Sequence, residues 1–276
     1  MAQATPAKAA EQKKGGFDFS ILVIPVAFAI AFIFWYVVCK GHTEVLPNGH
    51  REAKKVEGGS DMLGLIYMGG FIVPILFTML LTVITFSVER FLTIGKAKGT
   101  GSIEEFLQKI KTALSKNDLN AALAECKKQQ GSVANVVQAG LHKYEEMDKN
   151  TTLEGEKKVL AIQQEIEEAT SLELPSLQEN LPVIATIASV GTLVALLGTV
   201  LGMIRSFSAM AAAGTPDPSA LSAGISEALI NTAIGIGTSA IAVIAYSFFT
   251  AKIDKLTYAI DEIGFSIAQT FASRNK

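Results

Sequence analysis

The chain has 276 residues, of which 49% are apolar and only 18% charged, and its formal net charge is −2. Mean hydropathy is +0.36. Soluble domains carry roughly 25% charged residues, so the balance points to a membrane protein and leaves no electrostatic footprint for nucleic acid. The two cysteines, Cys39 and Cys126, lack the spacing of a zinc site or a redox pair and read as free thiols. No metal or cofactor site is expected.

Four segments are long and apolar enough to span a bilayer, since about 20 helical residues cross ~30 Å of hydrocarbon. Phe17–Cys39 is the first, preceded by an arm (1–16) expected to be disordered, with Lys8, Lys13 and Lys14. A signal peptide is the rival reading. The run exceeds the roughly 7–15 residues of a signal core, and Phe34, Trp35 and Tyr36 stand where small cleavage-site residues belong. Trp35 and Tyr36 fit an interfacial aromatic belt better. A loop (40–61) leads to the second span, Met62–Phe91, which ends at Glu89 and Arg90. These two charges are expected to anchor the helix at the interface rather than carry ions.

The segment 92–181 reads as a helical domain. Ser102 with Glu105 is a capping-box pattern, followed by Phe106, Ile110 and Leu114 at helical spacing. Asn117 and Asp118 open a second helix, Leu119–Gln129, and Gly131-Ser132 precedes a third. Leu153–Leu174 alternates Glu165, Glu167, Glu168 and Glu173 with Val159, Ile162, Ile166 and Leu172. It is expected to continue into the third span, kinked rather than ended by Pro175 and Pro182. The acids themselves read as a solvated face.

The last two spans carry the chemistry. In the third, Pro182–Ala212, the residues Ser189, Thr192, Thr199 and Ser206 recur on one helical face, and Gly198 and Gly202 form a small-xxx-small pair. After a short connection (213–222), the fourth, Ala223–Thr250, bears Gly224, Glu227, Asn231, Gly235 and Ser239 as a related stripe, with Thr232 beside it. Most membrane Ser, Thr and Gly serve only as helix–helix glue. An ionisable residue inside a span is costly, so Glu227 tips the reading toward an ion pathway. No Asp, Glu or His sits at mid-span, and a threonine hydroxyl orients water without holding a proton at neutral pH. A proton pathway here therefore needs its central acid from another chain.

Basic residues favour the cytoplasmic side of a span. The N-terminal arm, the flank at Arg90, Lys96 and Lys98, and the tail at Lys252 and Lys255 (251–276) place both termini in the cytoplasm. Lys40, Arg51, Lys54 and Lys55 in the first loop argue against this arrangement. The expectation is an all-α polytopic membrane protein with four transmembrane helices, the long ones extending into a helical cytoplasmic domain.

The stretches Leu196-Leu197-Gly198-Thr199-Val200-Leu201-Gly202-Met203, Gly224-Ile225-Ser226-Glu227-Ala228-Leu229 and Asn231-Thr232-Ala233-Ile234-Gly235, with Glu89-Arg90 after the second span, resemble the MotA/TolQ/ExbB proton-channel family, ExbB most. The resemblance extends over about the last two-thirds of the chain. It implies a homopentamer whose last two spans surround a pore. An ExbD-like dimer would occupy that pore and supply a protonatable Asp. The complex would harvest proton-motive force in a Gram-negative inner membrane and transmit it to a TonB-like protein. By position it assigns pore-lining roles to Thr199 and Thr232 and a functional acid to Glu227, while the polar stripes themselves offer Ser189, Thr192 and Asn231 as a further polar pore face. Relatives similar to MotA tend to have prolines in these helices; Gly198 and Thr199 here favour the ExbB or TolQ branch. The extra first span departs from the three common to ExbB and TolQ.

Other classes fit less well. No nucleophile with its base, paired aspartates or HExxH motif lies in a span, and His42, His50 and His142 lie outside them all. The chain is therefore not expected to be an enzyme. The dissimilar pairs of spans argue against a repeat-built transporter. A purely structural scaffold stays open on the residues alone, and an adjacent gene for a short single-span protein with a membrane Asp would decide against it.

Overall fold

The computed structural model describes residues 19–45, 51–56, 59–212 and 218–274. The arm 1–16, Asn48 and residues 213–217 of the connection lie outside them. Among the described residues the fold is helical, with two two-stranded antiparallel pairs between α1 and α2. Four of the described helices are long and apolar enough to cross a membrane, which makes this a polytopic membrane protein.

The chain divides into two compact units, 1–85 with 186–242 and 86–185 with 243–276. In the first unit, α1 (Phe19–Ile33) widens into a π-helical segment, Phe34–Cys39. Bulky aromatics are accommodated there: Trp35 stacks on Tyr67 with ring centroids 4.8 Å apart, and Phe34 meets Phe77 edge-on at 5.8 Å. The strand β1 (Thr43–Val45) pairs with β2 (Arg51–Ala53), and β3 (Lys55–Val56) with β4 (Gly59–Ser60). Asp61 then caps α2 (Met62–Met68), accepting from the Leu63 N–H at 3.0 Å and contacting His42 Nδ1 at 2.6 Å.

Here the structure departs from the sequence expectation. Met62–Phe91 is not one helix: α2 stops at Met68 and α3 runs Ile72–Lys98. The break falls at Gly69-Gly70, where Gly70 takes φ +73°, a left-handed conformation that glycine adopts without the penalty of a side chain.

The second unit holds the end of α3, then α4 (Ile103–Ser115), α5 (Leu119–Gln129), α6 (Gly131–Lys149) and α7 (Gly155–Gln178). Phe106, Ile110 and Leu114 are buried as their spacing requires. Asp118 caps α5 by accepting from the Ala121 N–H at 2.9 Å. The expected capping box does not form, because the Ser102 hydroxyl turns instead to Glu104 Oε2 at 2.6 Å. On α7, Ile162 and Ile166 are buried but Leu172 is 76% exposed, so the apolar face is narrower than expected. Tyr144 and Phe271 close the core edge-to-face at 4.8 Å.

The third span does not continue α7. That helix ends at Gln178, Asn180 adopts φ +62°, and α8 (Leu181–Ala212) starts afresh. Pro175 sits within α7 and Pro182 in the first turn of α8, where a missing N–H costs nothing. Arg90, fully buried, holds this break: its Nη1 donates to the Ser176 and Leu177 carbonyls at 2.9 and 3.2 Å, its Nε to Glu89 Oε2 at 2.6 Å, and its Nη2 to Glu89 Oε1. Glu89 also accepts from Asn180 Nδ2 at 3.2 Å. The final helix, α9 (Pro218–Arg274), runs unbroken for 57 residues, so no boundary separates the fourth span from the C-terminal helix.

Candidate functional site

The site is built where α8 and α9 meet within the first unit, and small residues make the approach possible. A side-chain carbon on Gly198 would stand 2.9 Å from the Asn231 Cβ. One on Gly235 would collide with the Ala195 side chain and stand 3.0 Å from the Gly191 carbonyl. Backbones brought this close gain van der Waals contact that bulkier residues would prevent. Thr192 Oγ1 donates to Ser239 Oγ at 3.0 Å across the seam, a bond worth about 0.6 kcal/mol in membrane proteins.

Asn231 lies inside this seam, fully buried, and neither its Oδ1 nor its Nδ2 has a hydrogen-bond partner. A buried polar group left unpaired costs about 1–3 kcal/mol. Within one chain it is thus enclosed between α8 and α9. Ser189, by contrast, is exposed on α8.

Thr199 and Thr232 flank the seam. The Thr199 hydroxyl donates to its own helix at the Leu196 carbonyl, 2.6 Å away, and Thr232 does the same to Ala228 at 3.0 Å. Each hydroxyl keeps its oxygen lone pairs for a further donor. Thr199 opens onto a groove of about 450 Å³ along α8, lined also by Val200, Met203, Ile204, Phe207 and Ser208. The structure does not join the two hydroxyls within a single chain by any hydrogen bond between them.

Glu227 is held by Arg205. The guanidinium Nη1 donates to Glu227 Oε1, with the carboxylate side chain 13% exposed and the Arg205 side chain 58% exposed. Gly70, at the α2–α3 break, fits directly against the pair: a side-chain carbon there would stand 2.6 Å from Glu227 Oε1 and 3.3 Å from Arg205 Nη1. The backbone turn and the ion pair are therefore one packed feature. Sequence reading singled out Glu227 and overlooked Arg205 and Gly70. A signal for Arg205 was present, since it is the lone charged residue between Leu181 and Ala212.

Large apolar side chains stand exposed along the same helices, among them Leu193, Leu196, Leu197 and Phe207 on α8 and Leu229 and Ile236 on α9. Such a surface needs lipid or other protein around it.

Comparison with known proteins converges on these helices. Residues 128–262 match the MotA/TolQ/ExbB proton channel family, a stretch that contains α8 and the part of α9 bearing Glu227, Asn231 and Thr232 but leaves out Glu89 and Arg90. The Tol-Pal system protein TolQ of Pseudomonas aeruginosa is 36% identical over 110 residues, 40% of this chain and 45% of that protein. The biopolymer transport protein ExbB of Xanthomonas campestris is 29% identical over 111 residues, 40% of this chain and 44% of that one. An ExbB-like protein of Synechocystis is 44% identical over 73 residues, 26% of this chain and 35% of its own length. The aligned stretches thus span less than half of each of these relatives. The family is one of channels rather than of enzymes.

Proposed function

We propose that the protein is a channel subunit of an inner-membrane motor that uses proton-motive force to energise TonB-dependent transport across the outer membrane. The observation that carries this reading is the coincidence of the family match with the α8–α9 seam, where a charged pair, an unpartnered amide and two threonine hydroxyls gather in otherwise apolar helices. Intramembrane ionisable groups mark ion pathways by default. In this account five copies surround a pore, and Thr199 and Thr232 orient water along it. Glu227 sets the charge at its outer mouth. An ExbD-like dimer contributes the central Asp, and a TonB-like protein receives the work. Both termini face the cytoplasm, and the 40–61 loop and 213–222 connection face the periplasm.

A Tol-Pal role is the second reading, supported by the TolQ of Pseudomonas aeruginosa among the relatives. Affinity purification in mild detergent with mass determination of the intact complex tests both. Five copies with two copies of a short single-span partner support the motor. A lone chain, or an assembly without such a partner, contradicts it. Identification of the co-purified partner as a Tol or a Ton component decides between the readings.

A further inference from the structure

In the second unit, α3, α4 and α9 enclose a cavity of about 230 Å³. Its apolar wall is Phe91, Ile94, Ile103, Phe249 and Leu256, and its rim carries Lys98, Lys252 and Lys255 against a single carboxylate, Glu104. Glu104 is already engaged by Lys255 at 2.8 Å. Lys252 lies with its Nζ 4.9 Å from the Phe248 ring centroid, and neither it nor Lys98 forms an ion pair among the described residues. Two ammonium groups therefore stand uncompensated beside an apolar hollow.

The location restricts what fills it. Both long helices gain their charges here: α3 acquires Glu89 and Arg90 directly before Phe91, and Lys252 is the first charged residue of α9 after Glu227. The cavity thus opens at the level where spanning helices leave hydrocarbon for headgroups. Gly95 also lines it, and a side-chain carbon there would meet nothing within 4 Å. Glycine in a helix interior costs about 1 kcal/mol relative to alanine, and no close packing against Gly95 requires it. Its effect is to keep the hollow open.

We propose that this cavity binds an anionic phospholipid, the phosphate held by Lys98 and Lys252 and the first part of an acyl chain lying against Phe91, Ile94 and Phe249. A free anion gains nothing from the apolar wall, and a zwitterionic lipid leaves the lysine charges uncompensated. Basic pockets between membrane helices on the cytoplasmic side recognise such headgroups by this chemistry.

Native mass spectrometry of the full chain in its purified oligomer tests the assignment, with phosphatidylglycerol titrated against phosphatidylcholine and inorganic phosphate. Phosphatidylglycerol should form the persistent adduct. The double variant Lys98→Gln/Lys252→Gln should weaken it by about 30-fold, as two lysines near an anionic headgroup imply. Gly95→Leu should abolish it with every lysine in place, because the new side chain fills the hollow and helix propensity improves. Equal retention of phosphatidylcholine, displacement of lipid by inorganic phosphate, or unchanged binding in either variant would overturn the proposal. Dispersal of the oligomer by Gly95→Leu, with lipid binding unchanged in the dispersed chains, would also overturn it and assign the cavity to a second copy of the chain.

Discussion

Arg205 donates to Glu227, and these are the lone charged residues of α8 and of α9 before Lys252. The cation beside this carboxylate is supplied 22 residues earlier in the same chain. Glu227→Gln and Arg205→Gln should each reduce energised transport several-fold, and the charge swap Arg205→Glu/Glu227→Arg should recover part of the loss. With Arg205 more than half exposed, the stability coupling should be only about 0.5–1 kcal/mol. A double-mutant cycle on thermal unfolding and transport rate measures both. Wild-type transport in Glu227→Gln would leave the carboxylate a mere helix contact.

The Asn231 amide is buried without a partner, so folding alone does not favour it. Replacing an unpaired buried polar group by an apolar one of similar size is close to neutral or stabilising. Asn231→Leu should therefore keep or raise the melting temperature while lowering transport. Gly198→Leu should do the reverse of sparing the fold, since its side chain must enter the space of Asn231. Melting and transport measured on the two variants separate the roles. A strongly destabilised Asn231→Leu would make the residue structural.

Arg90 closes the C-terminal end of α7 and the Glu89 carboxylate together. Arg90→Ala leaves a carboxylate and two carbonyls without their donor, a loss on the order of 3–5 kcal/mol. Arg90→Lys keeps the charge but not the fork that reaches several acceptors, so it should restore little. Thermal aggregation of the detergent-solubilised variants reads this directly, and a lysine variant as stable as the parent would refute the geometric account.

Burial pushes the Cys126 thiol up to about 12, from an ordinary value near 9. A raised pKa means the unfolded chain loses this proton first. Stability from Cys126 is therefore fully present below pH 9 and declines as pH rises from about 9 toward 12. At pH 8 the thiol should react with maleimide only as fast as α5 opens. Mass spectrometry of labelled protein at pH 8 should show the folded protein labelled far more slowly than the denatured chain, because the reactive thiolate is scarcer and shielded. Equal labelling rates in the folded and denatured protein would contradict the burial.

Much of this architecture is written in local chemistry. The spans follow from runs of apolar residues, and α4 and α5 from the spacing of Phe106, Ile110 and Leu114 and the cap at Asp118. What escaped depends on backbone conformation and on partners distant in sequence. Helix breaks at Gly70 and Asn180 require positive φ, which Gly and Asn permit but do not announce. Apolar flanks on both sides of each break made one continuous helix look adequate. The polar stripe of α9 was legible as a stripe. That Asn231 packs against Gly198 is decided by the fit of two helices, which spacing along one helix does not encode.

Thr199 and Thr232 carry the central claim, since each hydroxyl is anchored to its own helix and free to accept one further hydrogen bond. Thr199→Val and Thr232→Val remove those hydroxyls with little change in volume. The decisive measurement is proton-motive-force-dependent substrate uptake in cells carrying each variant, alongside the mass of the purified complex. The account predicts an intact complex and uptake clearly below that of the parent in both variants. Wild-type uptake in both would contradict it and leave α8 and α9 as scaffold helices.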